Sequence, residues 1–265
     1  LAMFDAGLPF TLTPEQQDAG ETIAHELASA TPMHRLLQGE VGSGKTVVAM
    51  RAMLQVAEAP TTPRLERHDD LSDGELPLTE VSPPLGGQSA LLAPTEVLAA
   101  QHFRSITDML GPALTQRLHP VLLTSKMPAA ERRKALLALA SGRSHLAVGT
   151  HALLSEGVSF YDLGLVIVDE QHRFGVEQRE ALRLKGANPH VLVMTATPIP
   201  RTVALTVFGD LETSVIRRVP PGRQGIQTFL VPVQERPKWA ERAWLRALEE
   251  IAAGRQVYVV CTRIG

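Results

Sequence analysis

The sequence has very little cysteine and no long hydrophobic run. Cys261 is the single cysteine among 265 residues, which excludes an internal disulfide framework and favours a reducing compartment. Because no run of about 18 apolar residues occurs, we expect no membrane-spanning helix. No basic segment precedes an apolar one near the start, so we expect no secretory signal.

An excess of charge of one sign is also missing. The chain has 26 Lys and Arg against 28 Asp and Glu, for a net charge of −2. Overall charge therefore does not indicate nucleic-acid binding, and local motifs must carry any such claim. Hydrophobic residues make up 44% and charged residues 20%, which is typical of a globular chain with one large domain or two small ones.

The strongest motif is the segment 39–46, Gly-Glu-Val-Gly-Ser-Gly-Lys-Thr, which matches the phosphate-loop pattern G-x-x-x-x-G-K-[ST]. An apolar run (33–37) precedes it and a helical pattern (47–59) follows it. The glycines let backbone N–H groups curl around an anion at the positive end of the helix. Lys45 is expected to reach the β- and γ-phosphates, and Thr46 to bind Mg²⁺. The predicted nucleotide-binding residues are Gly39, Gly42, Ser43, Gly44, Lys45 and Thr46.

Beyond this loop, apolar strands alternate with helical patterns. This alternation predicts an α/β fold with a mostly parallel sheet covered by helices on both faces, and a ligand site beyond the carboxyl ends of the strands. The predicted strands are 90–93, 120–123, 145–148, 165–168, 190–194 and 257–260, and the predicted helices are 96–110, 129–140, 176–184 and 238–253.

Two carboxylates, Asp169 and Glu170, follow the buried strand 165–168. Beside a phosphate loop, Asp169 is expected to hold Mg²⁺, and Glu170 to orient or deprotonate the attacking water. His172 can be a core histidine or a general base, and its position suggests that it senses the γ-phosphate. Phe174 can equally be a core residue.

Other strand ends carry hydroxyl groups. Thr195 and Thr197 follow one buried strand, where they can bond the acidic turn, bond a phosphate backbone or form a plain β-turn. Pro94 with Thr95, and Gly149 with Thr150, end two further strands just before helices. These positions suit the phosphates of a nucleic-acid strand, but simple N-capping by the threonines explains them as well.

Two further stretches leave alternatives open. Thr13, Pro14 and Gln16 form a capping-box pattern, and Gln16 with Phe10 can instead face an adenine; spacing alone favours the cap. Residues 60–88 are rich in proline, glycine and acids, which indicates a solvated, flexible insertion or, less readily, an acidic partner-binding segment.

Six stretches together resemble the superfamily 2 helicases, and most closely the RecG family of bacterial branched-DNA helicases. The stretches are LLQGEVGSGKT (36–46), APTEVLAAQH (93–102), VGTHALL (148–154), GLVIVDEQHRFGVEQR (164–179), MTATPIPRT (194–202) and VPPGR (219–223). The transcription-repair coupling translocases are also similar, but they have two glutamates before the histidine where this chain has Glu170-Gln171. A P-loop switch that signals by conformation is the alternative from another class.

The resemblance implies a RecA-like ATP-binding lobe at 1–220, then an inter-lobe connection and the first elements of a second lobe at 221–265. The rest of that lobe, with its arginine finger, and an amino-terminal wedge domain are expected outside these residues. The resemblance also implies a monomeric, cytoplasmic and nucleoid-associated motor for recombination and repair that uses ATP and Mg²⁺, acts on branched DNA and has no membrane partner.

The resemblance also assigns roles to residues. It makes Phe10 and Gln16 adenine contacts, and it couples Gln171 and His172 to Thr195 and Thr197. It implies catalytic roles for Lys45, Asp169, Glu170, Gln171 and His172, and DNA-binding or coupling roles for Pro94, Thr95, Gly149, Thr150, Phe174, Thr195 and Thr197.

Overall fold

The computed structural model describes residues 1–59, 86–169, 185–186, 188–197, 211–217, 227–232 and 234–261. The chain divides into two compact units, Leu1–Pro221 and Gly222–Gly265. The assignment of these units to two helicase lobes stays a prediction.

The larger unit alternates strands with helices along the chain. Its helices are α1 (Ala2–Gly7), α2 (Pro14–Leu27), α3 (Lys45–Glu58), α4 (Glu96–Leu118), α5 (Ala129–Ala140) and a 3-10 helix (His151–Leu154). Its strands are β1 (His34–Gly39), β2 (Gln88–Leu92), β3 (Val121–Leu123), β4 (Leu146–Gly149), β5 (Leu163–Asp169), β6 (His190–Thr195) and β7 (Glu212–Ile216).

Within the described residues the seven strands form one sheet in the order β3-β4-β2-β5-β6-β1-β7. Every neighbouring pair is parallel. The carboxyl ends of all strands therefore lie at one edge of the sheet, where the loops after β1, β2, β4, β5 and β6 meet. The predicted parallel α/β fold is confirmed.

Apolar side chains cover the sheet on both faces, as β5 illustrates. Its Leu165 and Ile167 join a core with α2, α3 and α4, whereas Val166 and Val168 join a second core with α5 and the 3-10 helix. Successive side chains of a strand point to opposite faces, so a strand that is apolar throughout is stable only between two layers of helices.

The predicted boundaries needed some corrections. The helix predicted at 96–110 continues to Leu118, with a kink at Gly111 (φ 67°) just before Pro112. Neither α1 nor β7 was predicted. The predicted helix 176–184 lies outside the described residues. Most of the predicted insertion 60–88 also lies outside them, while Gln88 already belongs to β2.

In the smaller unit, helix α6 (Pro237–Ala252) agrees with the predicted helix 238–253. The predicted strand 257–260 is wrong, because this segment has no strand assignment in the part of the chain that the structure describes. A strand needs a neighbour for its backbone hydrogen bonds, and no neighbouring strand is among the described residues of this unit. Val260 is accordingly 93% exposed.

Candidate nucleotide site

The loop that joins β1 to α3 is shaped by glycines. Gly44 precedes helix α3 with a left-handed backbone (φ 85°), and an added Cβ there would collide with the side-chain amide of Gln16. At Gly39 an added Cβ would lie 2.5 Å from Ser43 Oγ and 2.9 Å from the Ile216 carbonyl oxygen. Both positions therefore require glycine, which fixes the path of the loop.

The donors around this loop suit an anion. Lys45 Nζ lies across the loop and donates to the carbonyl oxygens of Gly39 at 2.6 Å and Glu40 at 3.0 Å. Ser43 Oγ is buried and has no hydrogen-bond partner among the described residues. Thr46 lies in the first turn of α3, at the positive end of the helix dipole. An ammonium group, a hydroxyl group without a partner and a helix N-terminus together fit a bound phosphate.

Asp169 lies at the same sheet edge as the loop. In the sheet register, Leu37 of β1 is paired with Met194 of β6, and Met194 is paired with Asp169 of β5. Since neighbouring strands lie about 4.8 Å apart, Asp169 lies roughly 10 Å from β1 across the sheet. A carboxylate near phosphate oxygens is a donor set that suits Mg²⁺, which keeps several waters and takes few protein ligands.

Strand β6, which lies between β1 and β5, leads into the threonine pair Thr195 and Thr197. Thr195 is paired in register with Gln38, next to the start of the loop. Its hydroxyl lies 3.0 Å from that of Thr197 and accepts a hydrogen bond from the Thr197 amide at 3.2 Å. These bonds hold Thr195 and Thr197 together at the end of β6, between the phosphate loop and Asp169. Sequence reasoning did not predict that β6 separates the two motifs.

A histidine that sequence reasoning missed contacts Asp169. His102 Nε2 on α4 lies 2.5 Å from Asp169 Oδ2, and the side chains are 16% and 15% exposed. The imidazole N–H donates and the carboxylate accepts. Sequence spacing alone cannot reveal this pair, because it depends on β2, which leads into α4, being the neighbour of β5.

Gln16 connects helix α2 to the phosphate loop. Its Oε1 accepts from the Thr13 amide at 2.9 Å, and its Nε2 donates to the Ser43 carbonyl oxygen at 2.8 Å. The capping box predicted with Thr13 is confirmed. Phe10 lies apart from this network. It is 47% exposed and lines a cavity of about 480 Å³ with Arg51 of α3.

The structure brings together the two predicted phosphate-contact motifs. The amide of Ala93, just before Pro94, donates to the Gly149 carbonyl oxygen at 2.8 Å. Thr95 is exposed and caps α4 by accepting from the Leu98 amide at 3.2 Å. Thr150 is 8% exposed and caps the 3-10 helix by accepting from the Ala152 amide at 3.5 Å. Both threonine hydroxyls therefore act as N-caps in this structure, as the capping alternative predicts.

Four predicted site residues, Glu170, Gln171, His172 and Phe174, lie outside the described residues. Among all the residues that the structure describes, no group of three or more His, Cys, Asp and Glu side chains could hold a metal ion. No described helix is long and apolar enough to cross a bilayer.

Comparison with known proteins identifies the family. The family profile described as DEAD/DEAH box helicase matches residues 13–206, a range that includes the phosphate loop, Asp169 and the threonine pair. The chain belongs to the DEAD/DEAH box helicase family. The switch alternative, which rested on the phosphate loop alone, explains less of the chain than this family does.

Within the DEAD/DEAH box helicases, the chain is similar to the ATP-dependent DNA helicases RecG. It is 52% identical to that of Mycobacterium bovis over 97% of this chain and 33% of the relative. It is 45% identical to that of Synechocystis sp. over 98% of this chain and 27% of the relative. The chain thus spans about a third of the length of these relatives.

A solved structure of RecG bound to a three-way DNA junction matches the fold of this chain. It is 36% identical, covers 96% of this chain and 30% of that chain, and gives a TM-score of 0.72. The RecA-like helicase fold expected from the sequence is thereby confirmed.

Proposed function

We propose that this chain is the ATP-binding motor lobe of a DNA helicase that remodels branched DNA, including stalled forks and Holliday junctions, by moving on duplex DNA. The observation that carries the proposal is the single sheet edge that holds the phosphate loop, the threonine pair and Asp169. Similarity to RecG over 97% of the chain supports DNA as the substrate.

The nucleotide phosphates bind to the loop 39–46. Lys45 exchanges its bonds to the Gly39 and Glu40 carbonyl oxygens for the β- and γ-phosphates, and the Ser43 hydroxyl adds a donor. Thr46 and Asp169 would hold Mg²⁺ at this edge of the sheet. When bound, the metal neutralises the charge that develops on the phosphate oxygens.

The residues that follow Asp169 catalyse the hydrolysis of ATP. Glu170 orients or deprotonates the attacking water. Gln171 and His172 relay the state of the γ-phosphate to Thr195 and Thr197, whose turn lies between the two motifs. In this proposal the threonine pair links the nucleotide to movement of the lobes.

The adenine lies near Phe10 and Gln16. Gln16 is already bonded to the phosphate loop through Ser43, and Phe10 offers an exposed ring at the wall of a cavity. Binding at this position places the base beside α2 and the triphosphate at the start of α3. Gln16 therefore connects the base to the loop that holds the phosphates.

One DNA strand contacts the sheet edge at Pro94, Thr95, Gly149 and Thr150, with Phe174 linking DNA contact to hydrolysis. Exposed Thr95 and the amide groups at the start of α4 supply donors for phosphates. The motor acts as a monomer in the cytoplasm, in association with the nucleoid.

The test is the ATPase rate of the full-length protein with and without forked DNA, with Lys45→Ala and Glu170→Gln beside it. We expect forked DNA to stimulate the wild-type rate and both variants to lose that stimulation. If either variant keeps the full DNA-stimulated rate, the proposed motor function is wrong.

The isolated 265 residues are expected to bind ATP but hydrolyse it slowly. An arginine finger contributes about 10³- to 10⁵-fold to the rate in related enzymes, and here the second lobe is expected to supply it. Comparing turnover by this chain with turnover by the full-length protein tests the expectation. Equal DNA-stimulated rates would contradict it.

A further inference from the structure

We propose that His102 is a positioning residue for Asp169, holding the carboxylate in the orientation in which it binds Mg²⁺. The inference rests on the proposed function, because it requires Asp169 to be a metal ligand. It adds a residue of helix α4 to a site otherwise built from the loops after β1, β5 and β6.

The contact has the geometry of a directed hydrogen bond. His102 Nε2 lies 2.5 Å from Asp169 Oδ2, and both side chains are more than four-fifths buried. Asp169 ends β5, while Val168 just before it is paired in register with Leu92 of β2. Helix α4 follows β2 after three residues, so the fold brings His102 over the end of β5.

The bond to His102 leaves lone pairs of the Asp169 carboxylate available to bind a metal ion. A carboxylate has two oxygens with about four lone-pair sites, and His102 takes one site on Oδ2. Carboxylates that bind a metal ion usually accept hydrogen bonds from neighbouring residues. Loss of such a hydrogen bond weakens metal binding about 10- to 100-fold. A short bond to a residue on a rigid helix meets that requirement.

His102 is not needed to build α4. The helix is capped by Thr95, whose hydroxyl accepts from the Leu98 amide. Its buried face is formed by Ala99, Ile106 and Leu110. The bond to Asp169 is therefore the contact that distinguishes His102 from its helical neighbours.

The test compares three substitutions at this position. His102→Ala removes the donor. His102→Gln places a side-chain amide nitrogen near the position of Nε2, whereas His102→Asn is one methylene shorter and falls short of Asp169. His25→Ala on α2 is the control for loss of an exposed helical histidine.

The readout is the affinity for Mn²⁺, followed by its electron paramagnetic resonance signal, with a non-hydrolysable ATP analogue bound to the protein. We expect His102→Ala and His102→Asn to weaken Mn²⁺ binding about tenfold, and His102→Gln and His25→Ala to stay near the wild-type value. Affinity for the analogue in the presence of EDTA is expected to be unchanged in all four variants.

Three results overturn the inference. They are wild-type Mn²⁺ affinity in His102→Ala, equal loss in His102→Gln and His102→Asn, and loss of metal-free nucleotide affinity by the same factor as metal affinity. If His102→Ala fails to fold, the comparison of Gln with Asn decides. If the wild-type protein binds no nucleotide, the proposed function fails as well, whereas wild-type binding with unaffected variants rejects only the role of His102.

Discussion

At the scale of single residues, the phosphate loop depends on contacts that a sequence motif does not show. The pattern includes Gly39, Gly44 and Lys45, but it does not reveal that Gln16 bonds the loop through the Ser43 carbonyl oxygen. Gly44 faces that same glutamine amide. The loop and the amino-terminal end of α2 therefore form one unit, and a change in either should affect the other.

Gly44→Ala tests this unit. The left-handed backbone costs about 1–2 kcal/mol for a residue with a Cβ, and the collision with Gln16 adds to this. We expect lower stability in urea unfolding and nucleotide affinity reduced by more than tenfold. Gly157→Ala is the matched control, because a Cβ there meets nothing within 4 Å. Similar behaviour of the two variants would contradict the explanation.

His190 makes stability depend on pH. Burial, and to a lesser extent His34, lower the pKa of His190 below its ordinary value of 6.5, while Glu26 opposes the shift. Nδ1 of His190 also accepts a hydrogen bond from the Met33 amide at 2.9 Å, which requires the unprotonated nitrogen. The unfolded chain therefore binds a proton more readily than the folded protein.

Because the folded pKa is the lower one, the contribution of His190 is present above pH 6.5 and is lost as the pH falls below it. Urea unfolding at pH 7.5 and pH 5.5 measures this loss. His190→Asn keeps an acceptor near the Met33 amide without a titratable group, so we expect it to reduce the pH dependence. An unchanged pH dependence in this variant would show that His190 is not responsible.

At the scale of helices and strands, the sequence predicts the buried elements best. The central residues of β4, β5 and β6 are apolar, because these strands are buried on both faces of the sheet. Helix α5 matches its predicted range. Strand β7 was missed because Glu212–Ile216 lies at the edge of the sheet and buries little beyond Ile216. The pattern 257–260 looks like a buried strand but lacks a partner among the described residues.

An ion pair joins three of these elements. Arg35 of β1 is 7% exposed in its side chain and donates from Nε and Nη2 to Glu26 of α2, with Nη1 donating to Ser214 of β7 at 2.8 Å. A buried guanidinium that loses its carboxylate is left without charge compensation. The pair therefore ties the edge strand β7 and helix α2 to the neighbouring strand β1.

Glu26→Gln is expected to destabilise the protein by about 2 kcal/mol, less than a fully buried pair would lose because Glu26 is 26% exposed. Urea unfolding measures the change. Lys126→Ala is the control, since its pair with Glu96 is long at 3.9 Å and Lys126 is 88% exposed, so a change below about 0.5 kcal/mol is expected. Equal destabilisation by the two substitutions would show that the pair of Arg35 and Glu26 stabilises the protein no more than an exposed pair does.

At the scale of the whole molecule, the sequence predicts a parallel sheet but not its strand order. Five of the motifs lie at strand ends, and parallel strands bring those ends to one edge, so the neighbourhood of the site follows from the sequence. The strand order, with β6 between β1 and β5, determines the separation of Lys45 and Asp169 and the reach of His102. Such pairings depend on packing between distant segments, which local patterns do not encode.

The most direct test of the account is calorimetric titration of this protein with a non-hydrolysable ATP analogue, with and without Mg²⁺. One nucleotide is predicted to bind, more tightly when Mg²⁺ is present. Lys45→Ala should abolish binding, whereas Asp169→Asn should retain binding but lose the gain from Mg²⁺. Wild-type binding by Lys45→Ala, or the full gain from Mg²⁺ in Asp169→Asn, would contradict the claim that the loop and the acid share one metal-bound nucleotide.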